Sequence, residues 1–340
     1  MIEHTQDPPS RLQAWNKQRT SQTQVSDTEL PLVSVLIVTW NRREDVLETV
    51  QSVYDQAYPS FEVIVVDNGS TDGTVEAVRQ AFSAVRLVAL DRNMGISSGR
   101  NAGIRVARGD FIFCLDSDAS PDPDAISNLV RKFQAEPQVG VINSKIVNAY
   151  TNTLDNGPGW VYTEKQKAKQ DTEFLSFNFS EGGAAVRKAV FDQVGPFWDL
   201  LFFGCEGQEL SLRVWDAGYK VLYYPKAIVY HRASPQARVA DAERDYLFFR
   251  NSLYIYIARY PWWVLLWYAP LKTAVALVRS SKRGYLRRIL RALLDVLRQL
   301  PVLLEERRPI RSETARLILK MQRQHGPLSW DLVSWFKYKA

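Results

Sequence analysis

A chain of 340 residues, 46% of them hydrophobic, is long enough for one large or two ordinary domains around a buried core. Its 43 Lys and Arg against 37 Asp and Glu leave a formal charge of +6. Two cysteines, Cys114 and Cys205, exclude a disulfide-stapled secreted scaffold and favour a reducing compartment. No signal peptide opens the sequence, and residues 1–30, rich in Gln, Ser, Thr, Asp and Pro, are predicted to be a disordered leader.

The next hundred residues alternate apolar, strand-length runs with amphipathic helical segments. The spacing predicts strands at 32–39, 61–66, 85–90 and 111–115, with helices at 43–57, 74–82 and 97–107 between them. This order indicates a three-layer α/β fold with a parallel sheet and right-handed crossovers.

Sheets of this kind bind nucleotides, so a cofactor or NTPase site has to be considered. A dinucleotide fold needs Gly-x-Gly-x-x-Gly directly after the first strand, but residues 39–43 contain no glycine. The sequence also lacks the Gly-x-x-x-x-Gly-Lys of the P-loop. The dehydrogenase and NTPase classes are therefore excluded.

Polar side chains follow three of the predicted strands, where each strand ends. They are Thr39 and Asn41, Asp67, and the pair Asp116 and Asp118. In open α/β sheets, ligands bind at this carboxyl edge. Two carboxylates one residue apart can hold a divalent ion against a phosphate, although Asp-x-Asp alone is also an ordinary turn. Together these residues predict a pocket in which a carboxylate accepts from a base and a metal meets a diphosphate.

The ordered set of motifs resembles the family 2 glycosyltransferases, which have the GT-A fold. The resemblance rests on 35–42, 65–74, 93–95, 100–104 and 109–118, and on Gly183, Arg187, Phe191, Gly195, Pro196 and Phe197. It covers roughly residues 32–235. It implies a GT-A nucleotide-binding, mostly parallel sheet flanked by helices in residues 31–235. Residues 31–120 would form the nucleotide-sugar half and 121–235 the acceptor half.

The resemblance also implies the reaction and the residues that carry it. The family moves a sugar from a nucleotide donor, usually UDP- or dTDP-linked, to an acceptor hydroxyl, here with inversion and in cell-surface glycan or lipid-linked saccharide synthesis. Asp67 would bind the pyrimidine, Asp116 the ribose or metal, and Asp118 a Mg²⁺ or Mn²⁺ ion. The remaining nucleotide-binding positions would be Thr39, Asn41, Gly95 and Asn101.

His231 is the predicted third metal ligand. It ends the strand-like run 227–231, where many family members carry a metal-binding histidine. A histidine at a strand end is common without any metal, but here it accompanies the Asp-x-Asp motif. An imidazole ligand suits Mn²⁺ better than Mg²⁺.

The sequence departs from the family where the catalytic base is expected. The usual Glu-Asp-x-Asp-Leu-x-x-Arg is replaced by residues 206–213, and Gly207 stands where the Asp base is usually assigned. Glu206 and Glu209 lie on one helix face with Arg213, and we favour one of these two Glu residues as the base. Two alternatives remain open. The local pattern resembles retaining polypeptide N-acetylgalactosaminyltransferases, or the protein binds a nucleotide sugar without turnover.

Residues 236–340 are predicted to be a basic, aromatic-rich helical extension. The apolar run 262–278 contains Lys272 and Pro270 and falls short of the roughly 20 clean residues that a spanning helix needs. Residues 286–300 combine a leucine stripe with an arginine face. We expect peripheral attachment to an anionic membrane surface at its cytoplasmic face. The alternatives are a hairpin packed on the catalytic domain, a homo-oligomer interface or a partner-recruiting subunit. No nucleic-acid-binding motif accompanies the charge.

Overall fold

The structure is a computed structural model that describes residues 30–155, 164–233 and 241–325. The predicted leader, apart from residue 30, lies outside these ranges. In the described part the strands are β1 (Val33–Thr39), β2 (Phe61–Asp67), β3 (Arg86–Ala89), β4 (Phe111–Asp116), β5 (Ala119–Pro121), β6 (Val139–Asn148), β7 (Phe174–Leu175), β8 (Gly183–Arg187) and β9 (Lys220–His231).

Helices flank the sheet and form the C-terminal region. They are α1 (Arg43–Tyr54), α2 (Thr74–Ala81), α3 (Ile96–Val106), α4 (Ala125–Ala135), α5 (Glu164–Lys167), α6 (Lys188–Val194), α7 (Glu206–Asp216), α8 (Asp241–Arg259), α9 (Trp262–Arg283), α10 (Leu286–Glu305) and α11 (Ser312–His325). A short 3₁₀ turn spans Asp199–Leu201.

The strands form one mixed sheet in the order β3-β2-β1-β4-β8-β6-β9-β5, with β7 paired to β9. The first four strands are parallel, as the sequence predicts. Strand β8 runs antiparallel to β4 and β6. The register places Thr39 opposite Asp67, and Val38 opposite Asp116. The polar residues that end β1, β2 and β4 therefore reach the same edge of the sheet.

Both faces of the sheet are covered, which is why the central strands read as unbroken apolar runs. All seven residues of β1 are buried. Alternate residues serve opposite faces: Val35 and Ile37 join the cluster under α1 and α4, whereas Leu36 joins the cluster under α3, α6 and α7. This gives the three layers that the alternation of elements predicts.

The C-terminal helices confirm the predicted helical extension and pack on the sheet domain. Helices α8 to α11 build an apolar cluster of their own, which also takes in Trp198, Leu201 and Leu212 from the segment around α7. Helix α9 continues through Pro270. Among the described residues, no helix has the length and apolar character to cross a bilayer.

Candidate active site

Three predicted metal ligands come together at the carboxyl edge of β4. Asp116 ends that strand, Asp118 follows it, and Ala119 on β5 pairs with His231 at the end of β9. One ligand atom of each of the three side chains lies within 4.8 Å of the other two. His231 Nε2 is 3.4 Å from Asp118 Oδ1. Two carboxylates and an imidazole at this spacing form a donor set that suits Mn²⁺.

A carboxylate that the sequence analysis missed holds the His231 ring. Asp155 Oδ2 lies 2.5 Å from His231 Nδ1, which leaves Nε2 directed at the acidic pair. Burial works against a charged imidazole, but the hydrogen bonds to Asp118 and Asp155 raise the pKa of His231 to about 10. Metal-ligating histidines commonly pair their second nitrogen with a carboxylate in this way. Nothing in the local sequence marks Asp155, which lies 76 residues before His231.

Removing this orienting carboxylate is expected to weaken metal binding. We predict that Asp155→Asn lowers Mn²⁺ affinity about 10- to 100-fold, because the ring loses its fixed orientation and basicity. Titration of Mn²⁺ followed by electron paramagnetic resonance measures this without turnover. Asp171→Asn is the matched control, since Asp171 is exposed and forms its ion pair with Lys145, apart from the metal cluster. Equal affinities in wild type and Asp155→Asn would contradict this role.

Asp118 is fixed from two further sides. Its side chain is 2% exposed, and Oδ2 lies 3.0 Å from Arg42 Nη1. Its backbone oxygen accepts from the Arg232 backbone nitrogen at 2.8 Å. Burying a charge is costly without a partner, and the Arg42 guanidinium offsets this cost for the Asp118 carboxylate. These contacts fix the position of Asp118.

The carboxyl ends of β1 and β2 carry two buried polar atoms that have no hydrogen-bond partner among the described residues. Asp67 Oδ2 accepts from the Ser70 backbone nitrogen at 2.9 Å. Asp67 Oδ1 and the neighbouring Thr39 Oγ1 are buried and have no hydrogen-bond partner within the described ranges. Leaving a buried carboxylate oxygen unpaired costs about 1–3 kcal/mol or more, so a donor N–H from a ligand fits here.

Asn41 ties the loops on either side of this pocket. Its backbone nitrogen donates to Ser70 Oγ at 2.8 Å, and its Oδ1 accepts from the Thr71 backbone nitrogen at 2.8 Å. Asn41 adopts a φ of 51°, a left-handed conformation that asparagine tolerates better than most residues. Its side chain thus shapes the loop after β1.

Gly95 and Asn101 contact residues 197–202. A β-carbon at Gly95 would lie 2.6 Å from the Phe202 carbonyl oxygen, and φ at Gly95 is 87°, so only glycine fits. Asn101 Nδ2 donates to the Phe197 carbonyl and to Asp199 Oδ1, each at 2.8 Å. Both residues therefore join the region of α3 to the segment 197–202.

The two predicted bases have different surroundings. Glu209 is fully buried; its Oε1 accepts from Arg259 Nε at 2.6 Å, and its Oε2 lies 2.5 Å from Arg213 Nη2. Burial opposes ionisation, but these two arginines hold the pKa of Glu209 below its ordinary value. Glu206 is 4% exposed, and its Oε1 accepts from the Gly204 backbone nitrogen at 2.6 Å.

Glu206 belongs to a charge cluster that includes Glu181, a partly exposed residue absent from the sequence-based site. Arg100, 5% exposed, lies between acidic groups and places Nη2 3.6 Å from Asp116 Oδ1. Burial and the charge of Glu206 raise the pKa of Glu181 to about 8, while Arg100 opposes the shift. Burial likewise raises the pKa of Glu206. A buried cation and two carboxylates thus adjoin the candidate metal site.

The sheet order, together with the buried polar side chains and the Asp-x-Asp motif at its carboxyl edge, is that of a GT-A glycosyltransferase. The profile described as glycosyl transferase family 2 matches residues 34–195. Glycosyltransferase AglE of Haloferax volcanii is 30% identical over 217 residues, which cover 61% of this chain and 68% of AglE. The chain belongs to glycosyl transferase family 2.

Other relatives share only part of their length with this chain. Chondroitin synthase of Escherichia coli is 29% identical over 189 residues, 49% of this chain and 27% of the synthase. The probable glycosyltransferase YdaM of Bacillus subtilis is 26% identical over 217 residues, 60% of this chain and 51% of YdaM. The chain therefore spans about a quarter of the chondroitin synthase and about half of YdaM.

Solved structures agree on the fold. A mannosyltransferase from Pyrobaculum calidifontis, solved in complex with GDP-Man and Mn²⁺, is 19% identical with a TM-score of 0.54, and the match covers 95% of this chain and 94% of that one. GalNAc-T7, solved with UDP, GalNAc and Mn²⁺, is 17% identical with a TM-score of 0.59, covering 80% of this chain and 58% of that one.

Proposed function

We propose that the protein is a metal-dependent glycosyltransferase that moves a sugar from a nucleoside-diphosphate sugar, UDP- or dTDP-linked, to an acceptor hydroxyl. The observation that carries the proposal is the Asp116, Asp118 and His231 cluster on the same sheet edge as Asp67. Within the described ranges, Asp67 Oδ1 is buried without a hydrogen-bond partner. Asp67 would bind the nucleobase of the donor, and the metal cluster would bind the diphosphate of the same donor.

Each residue of the site has a defined part in this reaction. Asp67 Oδ1 would accept a ring N–H of the pyrimidine, with Thr39 Oγ1 beside it. Asp116, Asp118 and His231 would hold a Mn²⁺ or Mg²⁺ ion, which as a Lewis acid stabilises the negative charge of the departing diphosphate. Arg100, 3.6 Å from Asp116, would keep the carboxylate oriented beside the donor.

Of the two carboxylates predicted as bases, we infer different parts. Glu209 is saturated by Arg213 and Arg259 and would serve the architecture of the site. Glu206 adjoins the charge cluster around Arg100 and stays close to the reaction. Inversion at the anomeric carbon needs a carboxylate near the acceptor oxygen, and the cluster of Glu206 and Glu181 would supply it.

Nucleotide binding tests the donor site directly. Calorimetric titration with UDP, dTDP and GDP, each with Mn²⁺ and with EDTA, should give metal-dependent binding of UDP or dTDP. Asp67→Asn exchanges the unpaired acceptor for an amide and should weaken pyrimidine nucleotides specifically. If neither UDP nor dTDP binds in the presence of Mn²⁺, the proposed donor class is wrong.

We further propose that the C-terminal helices attach the enzyme to an anionic membrane surface, where it would meet a lipid-linked or cell-surface glycan acceptor. Large apolar side chains stand exposed on α9 and α10 at helical spacing. They are Trp262, Trp263, Leu266, Trp267, Leu271 and Val278 on α9, and Leu286, Leu290, Leu294, Leu297 and Leu304 on α10. Rows of large exposed apolar side chains are uncommon on helices that face only water.

Basic residues accompany this apolar surface. Residues 241–325 contain 17 Lys and Arg against 7 Asp and Glu. A concavity of about 530 Å³ is lined by Trp263, Arg316, Leu319, Lys320 and Arg323. Three cations around an exposed tryptophan suit anionic lipid headgroups. The arrangement supports a peripheral attachment at the cytoplasmic leaflet, with apolar side chains inserted and cations at the headgroups.

Liposome flotation tests the attachment. We expect the full chain to float with vesicles that contain phosphatidylserine at low salt, and to remain at the bottom with neutral vesicles at high salt. The double variant Leu266→Glu, Trp267→Glu should lose flotation. Tyr150→Glu, an exposed aromatic on the sheet domain, serves as the matched control. Recovery of the wild type entirely in the soluble fraction with anionic vesicles would contradict the proposal.

A further inference from the structure

The space beside residue 207, where the usual base is missing, is filled from elsewhere in the chain. A β-carbon at Gly207 would lie 2.2 Å from the Phe179 carbonyl oxygen and 2.5 Å from Glu181 Oε1. No side chain fits at 207 while these two groups are in place. The Glu181 carboxylate thus occupies space that an Asp side chain at position 207 would need.

A second glycine brings the same segment against the end of β4. Strand β8 runs antiparallel to β4 with Gly183 opposite Leu115, and the Asp116 backbone nitrogen donates to the Gly182 carbonyl at 3.3 Å. A β-carbon at Gly182 would lie 2.2 Å from Asp116 Oδ2. Glu181 is the next residue along this segment. Its backbone is therefore fixed beside the Asp-x-Asp motif, where a donor phosphate would lie.

Glu181 also has the better access of the two acidic residues in the charge cluster. Glu206 is 4% exposed, and one of its oxygens is taken by the Gly204 backbone nitrogen. Glu181 keeps partial exposure to solvent. A base must touch the acceptor oxygen, so the more exposed of these two residues suits this task better.

We propose that Glu181 is the catalytic base that replaces the aspartate missing at position 207. The acceptor oxygen forms a bond to the anomeric carbon, and its proton passes to the Glu181 carboxylate. The bond from that carbon to the phosphate oxygen breaks, and its electron pair leaves with the nucleoside diphosphate. Glu206 and Arg100 act as positioning residues that set the charge around Glu181. The inference rests on the glycosyl transfer proposed above.

Variants of the two acidic residues distinguish the roles. With the full chain, Mn²⁺ and a donor panel of UDP- and dTDP-sugars, Glu181→Gln should lower kcat of donor hydrolysis about 10²- to 10⁴-fold. Its nucleotide affinity should stay within about threefold of wild type. The loss of kcat in Glu206→Gln should be at least about tenfold smaller than the loss in Glu181→Gln. A kcat for Glu181→Gln within about threefold of wild type, or a larger loss in Glu206→Gln, would overturn the assignment.

Chemical rescue separates the base from a structural part. Formate added to Glu181→Ala should restore kcat by about tenfold or more, because a small carboxylate can take the place of the missing one. A residue that only shaped the pocket would show no such rescue, and its absence would count against the base. Direct displacement also inverts the anomeric carbon, so retention in the initial wild-type product, read by proton NMR, would overturn the proposal.

The wild type keeps the two proposals apart. If it turns over a donor and Glu181→Gln does so equally well, only the base assignment fails. If the wild type binds nucleotide with Mn²⁺ but releases no diphosphate from any donor, the protein is a non-catalytic binder and has no base. If it neither binds nor turns over these donors, the proposed function itself is wrong.

Discussion

Asp118→Asn is expected to abolish metal-dependent turnover, with a loss of about a thousandfold in kcat. The substitution keeps the shape of the side chain but removes the charge at the most buried of the three ligand residues, which is 2% exposed. A Lewis-acid ion stabilises the transition-state charge by several kcal/mol, and each 1.36 kcal/mol corresponds to about a factor of ten in rate. The measurement is diphosphate release from a donor sugar at saturating Mn²⁺.

Two comparisons make this expectation specific. Asp192→Asn removes an exposed carboxylate on α6, away from the site, and should leave turnover unchanged. Mn²⁺ titration should show that Asp118→Asn binds the ion weakly, while its circular dichroism spectrum stays native. A variant with native Mn²⁺ affinity and native kcat would exclude Asp118 as a ligand.

Glu209→Gln is expected to cost about 3 kcal/mol of the free energy of unfolding, because it breaks a buried ion pair and leaves cationic partners without their counter-charge. Glu209 is fully buried between Arg213 and Arg259. Arg213 also donates to the Val194, Gly195 and Pro196 carbonyls. One carboxylate thus joins α7, the loop after α6 and the C-terminal helix α8.

The pH dependence of this loss follows from the sign of the shift. The pKa of Glu209 is lowered in the folded protein, so its ion pair contributes fully above its ordinary value of 4.5 and is lost as pH falls through the lower folded pKa. Thermal unfolding should therefore show a large difference in the free energy of unfolding between wild type and variant at pH 7. This difference should become smaller below pH 4.5. Glu76 is an exposed carboxylate on α2, so Glu76→Gln should show neither the loss of stability at pH 7 nor its pH dependence. A gap at pH 7 below about 1 kcal/mol would contradict the pair's importance.

Much of the sheet half could be predicted because its signals are local. Apolar runs of strand length separated by helical spacing gave the first four strands and their parallel order, and this order alone brings Asp67 and Asp116 to one edge. Helix ends were less predictable: the helix expected at 43–57 ends at Tyr54, and the strand expected at 85–90 spans Arg86–Ala89. Single turns at the ends of elements depend on tertiary contacts that local spacing does not encode.

Site residues that depend on long-range contacts escaped the sequence analysis. Asp155 reaches His231 across 76 residues, and Glu181 reaches the space beside Gly207 from another segment. The usable signal for Glu181 was indirect. Glycines at 182, 183 and 207 indicate that other groups of the protein lie close to the backbone at these positions. Gly95 and Asn101 stay predicted nucleotide-binding residues on motif position, and the structure adds their contacts with Phe202 and Phe197.

The most direct test of the central claim is the release of nucleoside diphosphate from donor sugars, followed by phosphorus NMR with the full chain. We predict that Mn²⁺ supports slow release from at least one UDP- or dTDP-sugar even without an acceptor, and that EDTA stops it. Release at the same rate in EDTA would contradict metal dependence. No release from any donor, with nucleotide bound at the site, would contradict catalysis and leave a nucleotide-sugar-binding protein.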